Sequence, residues 1–98
     1  MNIVQKAEGG CELSIDGELT IYRATELHEL ITQKHQEYQS VSLDMENVSE
    51  IDTACFQVLL HHKLKGLEQE KKLSLINCNE SVIDFFRLFG VGGIFVSS

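Results

Sequence analysis

The chain has 98 residues, which suffice for one domain with a single core but not for two. A hydrophobic fraction of 43% is typical of a folded globular protein and argues against disorder. Eight basic residues against fifteen acidic ones give a net charge of −7. This charge argues against nucleic acid as a direct partner, because phosphate backbones are bound mainly through Lys and Arg.

The first two strands are predicted where apolar and polar residues alternate. Residues 11–16, CELSID, place Cys, Leu and Ile on one side and acidic or hydroxyl residues on the other, as in a half-buried strand. Gly17 ends this run, and residues 18–24, ELTIYRA, predict a second short strand with Leu19 and Ile21 on one face. The two strands are expected to pair antiparallel.

Helical spacing begins at Thr25 and returns after a central strand. Thr25 is a suitable N-cap for a first helix that reaches Tyr38, with Glu26 and Glu29 in its first turn. Residues 40–45, SVSLDM, alternate and predict the central strand. A second helix is predicted from about Thr53 to Glu70. Its expected buried stripe is Phe56, Leu59, Leu60, Leu64 and Leu67, and its expected outward face is Gln57, His61, Lys65 and Glu68.

The last third of the chain predicts a strand, a short helix and a closing strand. Residues 72–78, KLSLINC, form the strand, and Asn79 or Ser81 caps the helix. Gly90 suits the position after the helix, because it has no Cβ to oppose the left-handed conformation. Residues 93–98, GIFVSS, are expected to close the sheet. The predicted fold is therefore α/β, a single domain over residues 1–98 with a mixed sheet of four to five strands and three main helices covering one face.

Secretion, membrane insertion and disulfide bonds are not expected. The N-terminal segment has no long apolar run and no cleavage site, so no signal peptide is predicted. The apolar runs elsewhere are only a few residues long, so direct membrane insertion is not predicted either. Cys11, Cys55 and Cys78 cannot pair completely and show no CxxC spacing. They are expected to be reduced core residues of a cytoplasmic protein.

No metal, cofactor or catalytic set is predicted. His28 and His35 lie about 10 Å apart along the first helix, and the adjacent His61 and His62 point about 100° apart on the second. All four are expected to be solvated surface side chains. Cys55 is expected to be buried and inert, with no base or oxyanion hole arranged around a nucleophile. We therefore expect a protein that is not an enzyme.

Residues 47–60, NVSEIDTACFQVLL, are the best candidate for a functional site. Asp52 stands directly before the apolar stripe of the second helix, as an N-cap would, and Thr53 would be the first helical residue. A phosphate on this exposed hydroxyl would add roughly −1.5 to −2 charges at the helix start. Glu50 and Asp52 would repel it, so phosphorylation would alter the local surface and could switch off a protein contact.

The chain resembles a STAS domain, the family of anti-sigma factor antagonists and their relatives, over essentially its whole length. The resemblance rests on three segments: CELSIDGELTIYRATEL, SVSLDMENVSEIDTACFQVLL and KLSLINCNESVIDFFRLFGVGGIF. The middle segment is the most specific. It resembles the family's aliphatic strand with Asp, a short loop, a second Asp, two small or hydroxyl residues and a Leu-rich helix.

The resemblance implies a regulatory binding module without catalysis or cofactor. In antagonists of this kind, a Ser or Thr directly after the Asp is phosphorylated by an ATPase-fold partner kinase that doubles as an anti-sigma factor. A PP2C-type phosphatase reverses the modification. By this analogy Thr53 is the phosphorylation candidate. The partner-binding residues would be Ser49, Glu50, Ile51, Asp52, Thr53, Ala54, Cys55, Phe56, Gln57 and His61.

The sequence departs from the antagonists at two positions and leaves an alternative open. Ala54 occupies the second position after Asp52, which matches the residue that is phosphorylated in several antagonists. Cys55 replaces the usual Gly, which predicts added bulk at the partner surface. The triplet Asp-Thr-Ala also resembles STAS subunits of bacterial phospholipid ABC transporters and small STAS proteins that accompany chemotaxis genes. The alternative is therefore a constitutive subunit of such a complex, in which Thr53 is a contact to a transporter ATPase or chemotaxis protein.

Overall fold

Four strands and three helices make up the computed structural model, which describes residues 2–6 and 10–90. The elements in chain order are β1 (Asn2–Lys6), β2 (Gly10–Leu19), α1 (Ile21–Glu37), β3 (Ser40–Ile51), α2 (Thr53–Glu68), β4 (Lys72–Ile76) and α3 (Glu80–Phe89). The strands lie side by side in the order β1-β2-β3-β4. Only β2, β3 and β4 run parallel, while β1 pairs antiparallel with β2. The α/β class is confirmed, and the parallel part of the sheet is limited to three strands.

One face of the sheet carries the core. Along β3, Val41, Leu43 and Met45 are fully buried, while Ser42 and Asp44 between them are only partly covered. The units β2-α1-β3 and β3-α2-β4 each join neighbouring parallel strands and step across the sheet in the same direction. Because such crossovers are right-handed, α1 and α2 lie on the same face, which is the buried one.

The predicted hairpin between residues 11–16 and 18–24 is wrong. Residues 11–16 and 18–19 belong to one strand, β2, which pairs antiparallel with β1. Residues 21–24 belong to α1. Gly17 does adopt a positive φ of 78°, but it lies at a bulge in the β2–β3 pairing rather than in a turn. A one-residue bulge and a tight turn both use glycine in this way, so the local sequence does not distinguish them.

Two element boundaries also differ from the predicted ones. α1 begins at Ile21 with Thr20 as its N-cap, so Thr25 lies inside the helix rather than capping it. β3 continues beyond Met45 to Ile51, because its second half pairs with the end of β2. This extension places the end of β3 beside the end of β2, and α1 and α2 therefore begin next to each other.

The buried stripe of α2 is rotated from the predicted one. Phe56 and Leu59 are buried as expected, but Leu64 and Leu67 are 51% and 69% exposed. His62 and Gly66 are buried in their place. α2 packs against α1 as well as β4, so its covered face turns toward α1 over its second half.

The end of the described chain follows the prediction closely. α3 is capped by Asn79, whose Oδ1 accepts from Val82 N at 3.0 Å, and Ser81 lies inside the helix. Asn79 Nδ2 also donates to the carbonyl of Val48 at 2.6 Å, which ties α3 to β3. Gly90 ends the helix with a φ of 66°. The predicted closing strand at 93–98 lies outside the described residues.

Among the helices that the structure describes, none combines the length and the apolar composition needed to cross a lipid bilayer.

Candidate protein-binding site at the starts of two helices

Asp52 connects the starts of α1 and α2. Its Oδ1 accepts from Cys55 N at 3.0 Å, which is the predicted cap of α2. Its Oδ2 accepts from Ile21 N at 2.7 Å, at the first residue of α1. A single carboxylate therefore satisfies one free backbone donor of each helix, at the positive end of both helix dipoles. Thr20, the N-cap of α1, makes no capping bond through its own side chain.

Thr53 is the first residue of α2 and its side chain is exposed. The carboxylate of Asp52 already accepts from Cys55 N, and Phe56 N donates to Asp52 O at 3.0 Å. In any helix the amides of the first turn have no partner within the helix, so those of Thr53 and Ala54 are the ones left for an incoming group. The hydroxyl thus lies beside one carboxylate and two helix-start amides.

The structure divides the predicted partner-binding residues into two groups. Ser49, Glu50, Thr53, Gln57 and His61 are exposed, with Asp52 and Ala54 partly so. The side chains of Ile51, Cys55 and Phe56 are buried in the core instead. A partner that docks on this surface therefore cannot contact them while the domain remains folded. His61 lies eight residues beyond Thr53, roughly 12 Å along the helix axis. Its ring lies beside those of His28 and His62.

Cys55 packs inward, and the predicted added bulk at the partner surface is wrong. Its side chain is fully buried, and Sγ donates to the carbonyl of Thr20 at 3.2 Å. Burial, which is the largest cause, and the nearby charge of Asp52 raise the pKa of the thiol to about 11, against a smaller opposing effect of Arg23. A thiol with this pKa stays protonated at neutral pH and is a poor nucleophile. The prediction of a buried thiol is confirmed, its low reactivity stays a prediction, and all three cysteines are free.

Two exposed apolar residues beside Thr53 were missed by the sequence analysis. Ile21 and Tyr22, at the start of α1, are 64% and 94% exposed. The hydrogen bond from Ile21 N to Asp52 places them next to the start of α2. They were assigned to a strand, where alternate residues would be buried. Adjacent apolar residues directly after a polar Thr, followed by helical spacing, are the signal that could have revealed an exposed helix start.

Acidic side chains surround this surface. Glu18 and Glu50 are register partners at the ends of β2 and β3, and both are exposed. Arg23 is a nearby cation, and its guanidinium donates to the carbonyls of Asp16 and Glu18 at 2.6 and 3.1 Å. These bonds hold α1 against the bulge of β2. The surface therefore offers negative charge around a small apolar area, which favours a partner with a basic face.

The expectation that all four histidines are solvated is wrong. His62 is only 4% exposed, and its Nε2 lies 2.9 Å from Nδ1 of His28 on the neighbouring helix. The rings of His61 and His35 lie 5.1 and 6.4 Å from that of His62. Burial, which is the largest cause, and the three other imidazoles and Lys65 together lower the pKa of His62 to about 4. The sequence suggests histidine pairs only within one helix, whereas the contact between His62 and His28 joins two helices.

The described part of the chain shows no ready-made metal centre. No three His, Cys, Asp or Glu side chains within residues 2–6 and 10–90 stand close enough to hold an ion together. The starts of α1 and α2 present hydrogen-bond acceptors, exposed apolar side chains and a hydroxyl, which are groups that another protein can recognise.

The family model described as "Mlab, STAS domain" matches residues 3–97, almost the entire chain. The chain belongs to the STAS domain family. The family resemblance carried by the three sequence segments is therefore confirmed. No curated protein sequence matches the chain significantly.

Three solved structures share the fold of this STAS domain. The anti-sigma factor antagonist SpoIIAA in its unphosphorylated form gives a TM-score of 0.81 at 15% identity, covering 98% of this chain and 84% of that one. SpoIIAA of Bacillus in its phosphorylated form gives 0.76 at 13% identity, covering 98% and 87%. A Thermotoga maritima protein classed as an anti-sigma factor antagonist gives 0.83 at 18% identity, covering 94% and 80%. At these identities the likeness establishes the fold alone.

Proposed function

We propose that this STAS domain is a non-catalytic regulatory binding module of the anti-sigma factor antagonist type. It docks onto a kinase- or ATPase-type protein through the starts of α1 and α2, and phosphorylation of Thr53 switches that contact. The observation that carries the proposal is the exposed Thr53 hydroxyl beside the Asp52 carboxylate, which binds the first turns of both helices. The relatives with this fold include SpoIIAA in unphosphorylated and phosphorylated forms, which supports a switch of this kind.

The unmodified surface suits a protein contact. Ile21 and Tyr22 supply exposed apolar area, and Thr53 and Gln57 supply neutral polar groups on the adjacent helix. Exposed aromatic residues such as Tyr22 contribute strongly to protein interfaces because they bury a large area with few rotatable bonds. The surrounding acidic residues steer a basic partner face toward this area.

A phosphate on Thr53 would oppose that contact. It adds roughly −1.5 to −2 charges within one residue of Asp52 and near Glu50. The carboxylate of Asp52 already accepts from Ile21 N and Cys55 N, so the phosphate must displace it or remain in solvent. Either outcome places an unneutralised charge beside Ile21 and Tyr22. Burying that charge in an interface is costly, so the phosphorylated form would release the partner.

The alternative is a constitutive subunit in which the same surface docks permanently. It is favoured by Ala54, which has no hydroxyl at the position where several antagonists are phosphorylated. It is also favoured by the carboxylate of Asp52, which competes with a phosphate for the helix-start amides. In this case Thr53 is a neutral contact residue to a transporter ATPase or a chemotaxis protein, and no kinase or phosphatase is needed.

The first experiment is mass spectrometry on tagged protein purified from its native cells, with the proteins that co-purify. Phosphate on Thr53, together with an ATPase-fold kinase or a PP2C-type phosphatase, would support the switch. An unmodified Thr53 in a stable complex with a transporter or chemosensory protein would support the constitutive subunit and contradict the switch.

The co-purifying partner then permits a direct test of the switch. Thr53→Glu is expected to weaken partner binding at least about tenfold by calorimetry, because it places a charge beside the apolar contact. Thr53→Ala is expected to bind within a few-fold of the wild type. Gln33→Glu is the matched control, since Gln33 is exposed on α1 about three turns away from the start of the helix. Equal binding by wild type and Thr53→Glu would show that charge at Thr53 does not control the contact.

A further inference from the structure

The four histidines of the chain form one group between α1 and α2. His28 and His35 come from α1, and His61 and His62 come from α2. We name this group the imidazole cluster. It lies about two to three helical turns from Thr53 along α2, so it does not belong to the proposed partner surface. The function proposed above makes no use of it.

The closest contact in the cluster joins two ring nitrogens. His62 Nε2 and His28 Nδ1 are 2.9 Å apart, and one of them must carry a hydrogen if they form a hydrogen bond. Two nitrogens that share one metal ion at about 2.05 Å are also separated by about 2.9 Å when the angle at the metal is near 90°. Such angles are typical of Ni²⁺ and Cu²⁺ sites. The exposed ring of His28 can turn so that both lone pairs converge on one ion.

His35 has the hydrogen bond that accompanies histidine ligands. Its Nε2 lies 3.0 Å from the carbonyl of Lys72, which can only accept, so Nε2 carries the hydrogen. The lone pair of the neutral ring is then on Nδ1. Metal-binding histidines usually donate their second N–H to a backbone carbonyl or carboxylate in this way, which fixes the ring and its tautomer. His35 and His62 line the same cleft between the two helices.

The cleft that His35 and His62 share is also lined by the cationic Lys65. Lys65 opposes a cation, but the whole chain has a net charge of −7.

We propose that the imidazole cluster binds a divalent transition-metal ion through His28 Nδ1 and His62 Nε2, with water and a reoriented His61 or His35 completing the coordination. The bound ion would link α1 to α2 through two direct bonds. No three ligands are already in place within residues 2–6 and 10–90, so the third protein ligand requires a side-chain rotation. His61 is exposed and is free to rotate on the helix surface.

The test is a calorimetric titration of NiCl₂ into the full chain without an affinity tag, after EDTA treatment and dialysis. One ion is expected to bind per chain with a dissociation constant in the micromolar range, as is usual for a site with two or three imidazoles. His28→Gln is the informative variant because His28 is exposed and its replacement leaves the buried His62 in place. It is expected to weaken binding at least about tenfold, with an unchanged far-ultraviolet circular dichroism spectrum.

Glu29→Gln, an exposed neighbour of His28 on α1, is the matched control and is expected to bind Ni²⁺ like the wild type. Imidazole nitrogen NMR provides a second measurement, in which the resonances of His28 and His62 shift together as Ni²⁺ or diamagnetic Zn²⁺ is added. The absence of saturable binding below about 1 mM would overturn the proposal. Unchanged affinity in His28→Gln would overturn it as well, since the ion would then bind through the cysteines or the acidic surface.

Discussion

At the scale of single residues, Asp52 has a wider role than its position in the sequence suggests. The local pattern predicted a cap for α2, and the bond from Cys55 N confirms it. The second bond, from Ile21 N, joins residues that are 31 positions apart. It explains why α1 begins four residues before the predicted cap at Thr25, since the helix start is stabilised from outside its own segment. No property of residues 18–27 could have revealed this partner.

Replacing Asp52 is expected to destabilise two helices together. Asp52→Ala removes both acceptors, and at about 0.5–2 kcal/mol per cap we expect a loss of roughly 1–4 kcal/mol in the free energy of unfolding. Asp52→Asn keeps one oxygen acceptor and should lose less. Urea denaturation measures both variants. Asp84→Ala, which removes an exposed ion pair with Arg87, is the control and should change stability by less than about 1 kcal/mol. A similar small loss for Asp52→Ala would contradict the double capping.

The burial of His62, unlike the cap at Asp52, is not predicted by the residues around it in the sequence. Nothing in its neighbourhood along the chain distinguishes it from His61, and exposed histidines are common on helices. Its burial depends on α1, which places His28 against it. The sequence of one helix therefore contains no sign of a buried polar side chain whose partner lies on another helix.

At the scale of elements, the covered face of α2 requires a glycine at position 66. The helix passes so close to the following turn that a Cβ on Gly66 would lie 2.7 Å from the carbonyl oxygen of Lys71. Lys71 N in turn donates to Gly66 O at 2.8 Å, which fixes the turn against the helix. Hydrophobic spacing, from which Leu64 and Leu67 were predicted to be buried, does not predict a buried glycine at this contact.

Gly66→Ala is expected to destabilise the domain. Glycine to alanine in an unhindered helix interior usually stabilises by about 0.5–1 kcal/mol. Here the added methyl group meets a backbone atom, which cannot move as a flexible side chain can, so we expect a net loss of about 1–3 kcal/mol. Thermal and urea unfolding measure the change. Leu67→Ala, next to Gly66 but 69% exposed, should alter stability by less than about 0.5 kcal/mol. A stabilised Gly66→Ala would show that the turn can relax.

The strand predictions succeeded where burial alternates and failed where pairing is decided elsewhere. The strands predicted at 40–45 and 72–78 are present, the second ending at Ile76, because one face of each is buried against helices. β2 was divided at Gly17, because a bulge and a turn have the same local sequence. β3 was ended too early, because its second half is stabilised by pairing with residues 16–19 rather than by its own alternation.

At the scale of the whole molecule, the α1–α2 interface couples stability to pH. The folded-state pKa of His62, about 4, lies below its ordinary value of 6.5. The unfolded chain therefore binds more protons between these values, and the free energy of unfolding falls as pH falls through this window. Above pH 6.5 the contribution is fully retained. The groups that face His62 are His28 and His35 of α1 and His61 and Lys65 of α2.

For protein kept in EDTA, we expect the free energy of unfolding to decrease by about 2 kcal/mol between pH 7 and pH 5 through this group. Urea denaturation at a series of pH values measures it. His62→Gln is expected to flatten the dependence over that range, whatever its effect on absolute stability, because glutamine does not titrate. A wild-type curve that is level between pH 7 and pH 5 would contradict a buried, neutral His62.

The sequence by itself determined the α/β class, the family, the unpaired cysteines, and the caps at Asp52 and Asn79. These features depend on the residues in one segment, such as alternating burial or a cap next to its own helix. The tertiary structure alone decided that Asp52 also binds the start of α1, that Ile21 and Tyr22 are exposed beside Thr53, and that the four histidines meet. These features depend on how α1 and α2 pack side by side on the sheet, and contacts between segments far apart in the chain leave no local pattern.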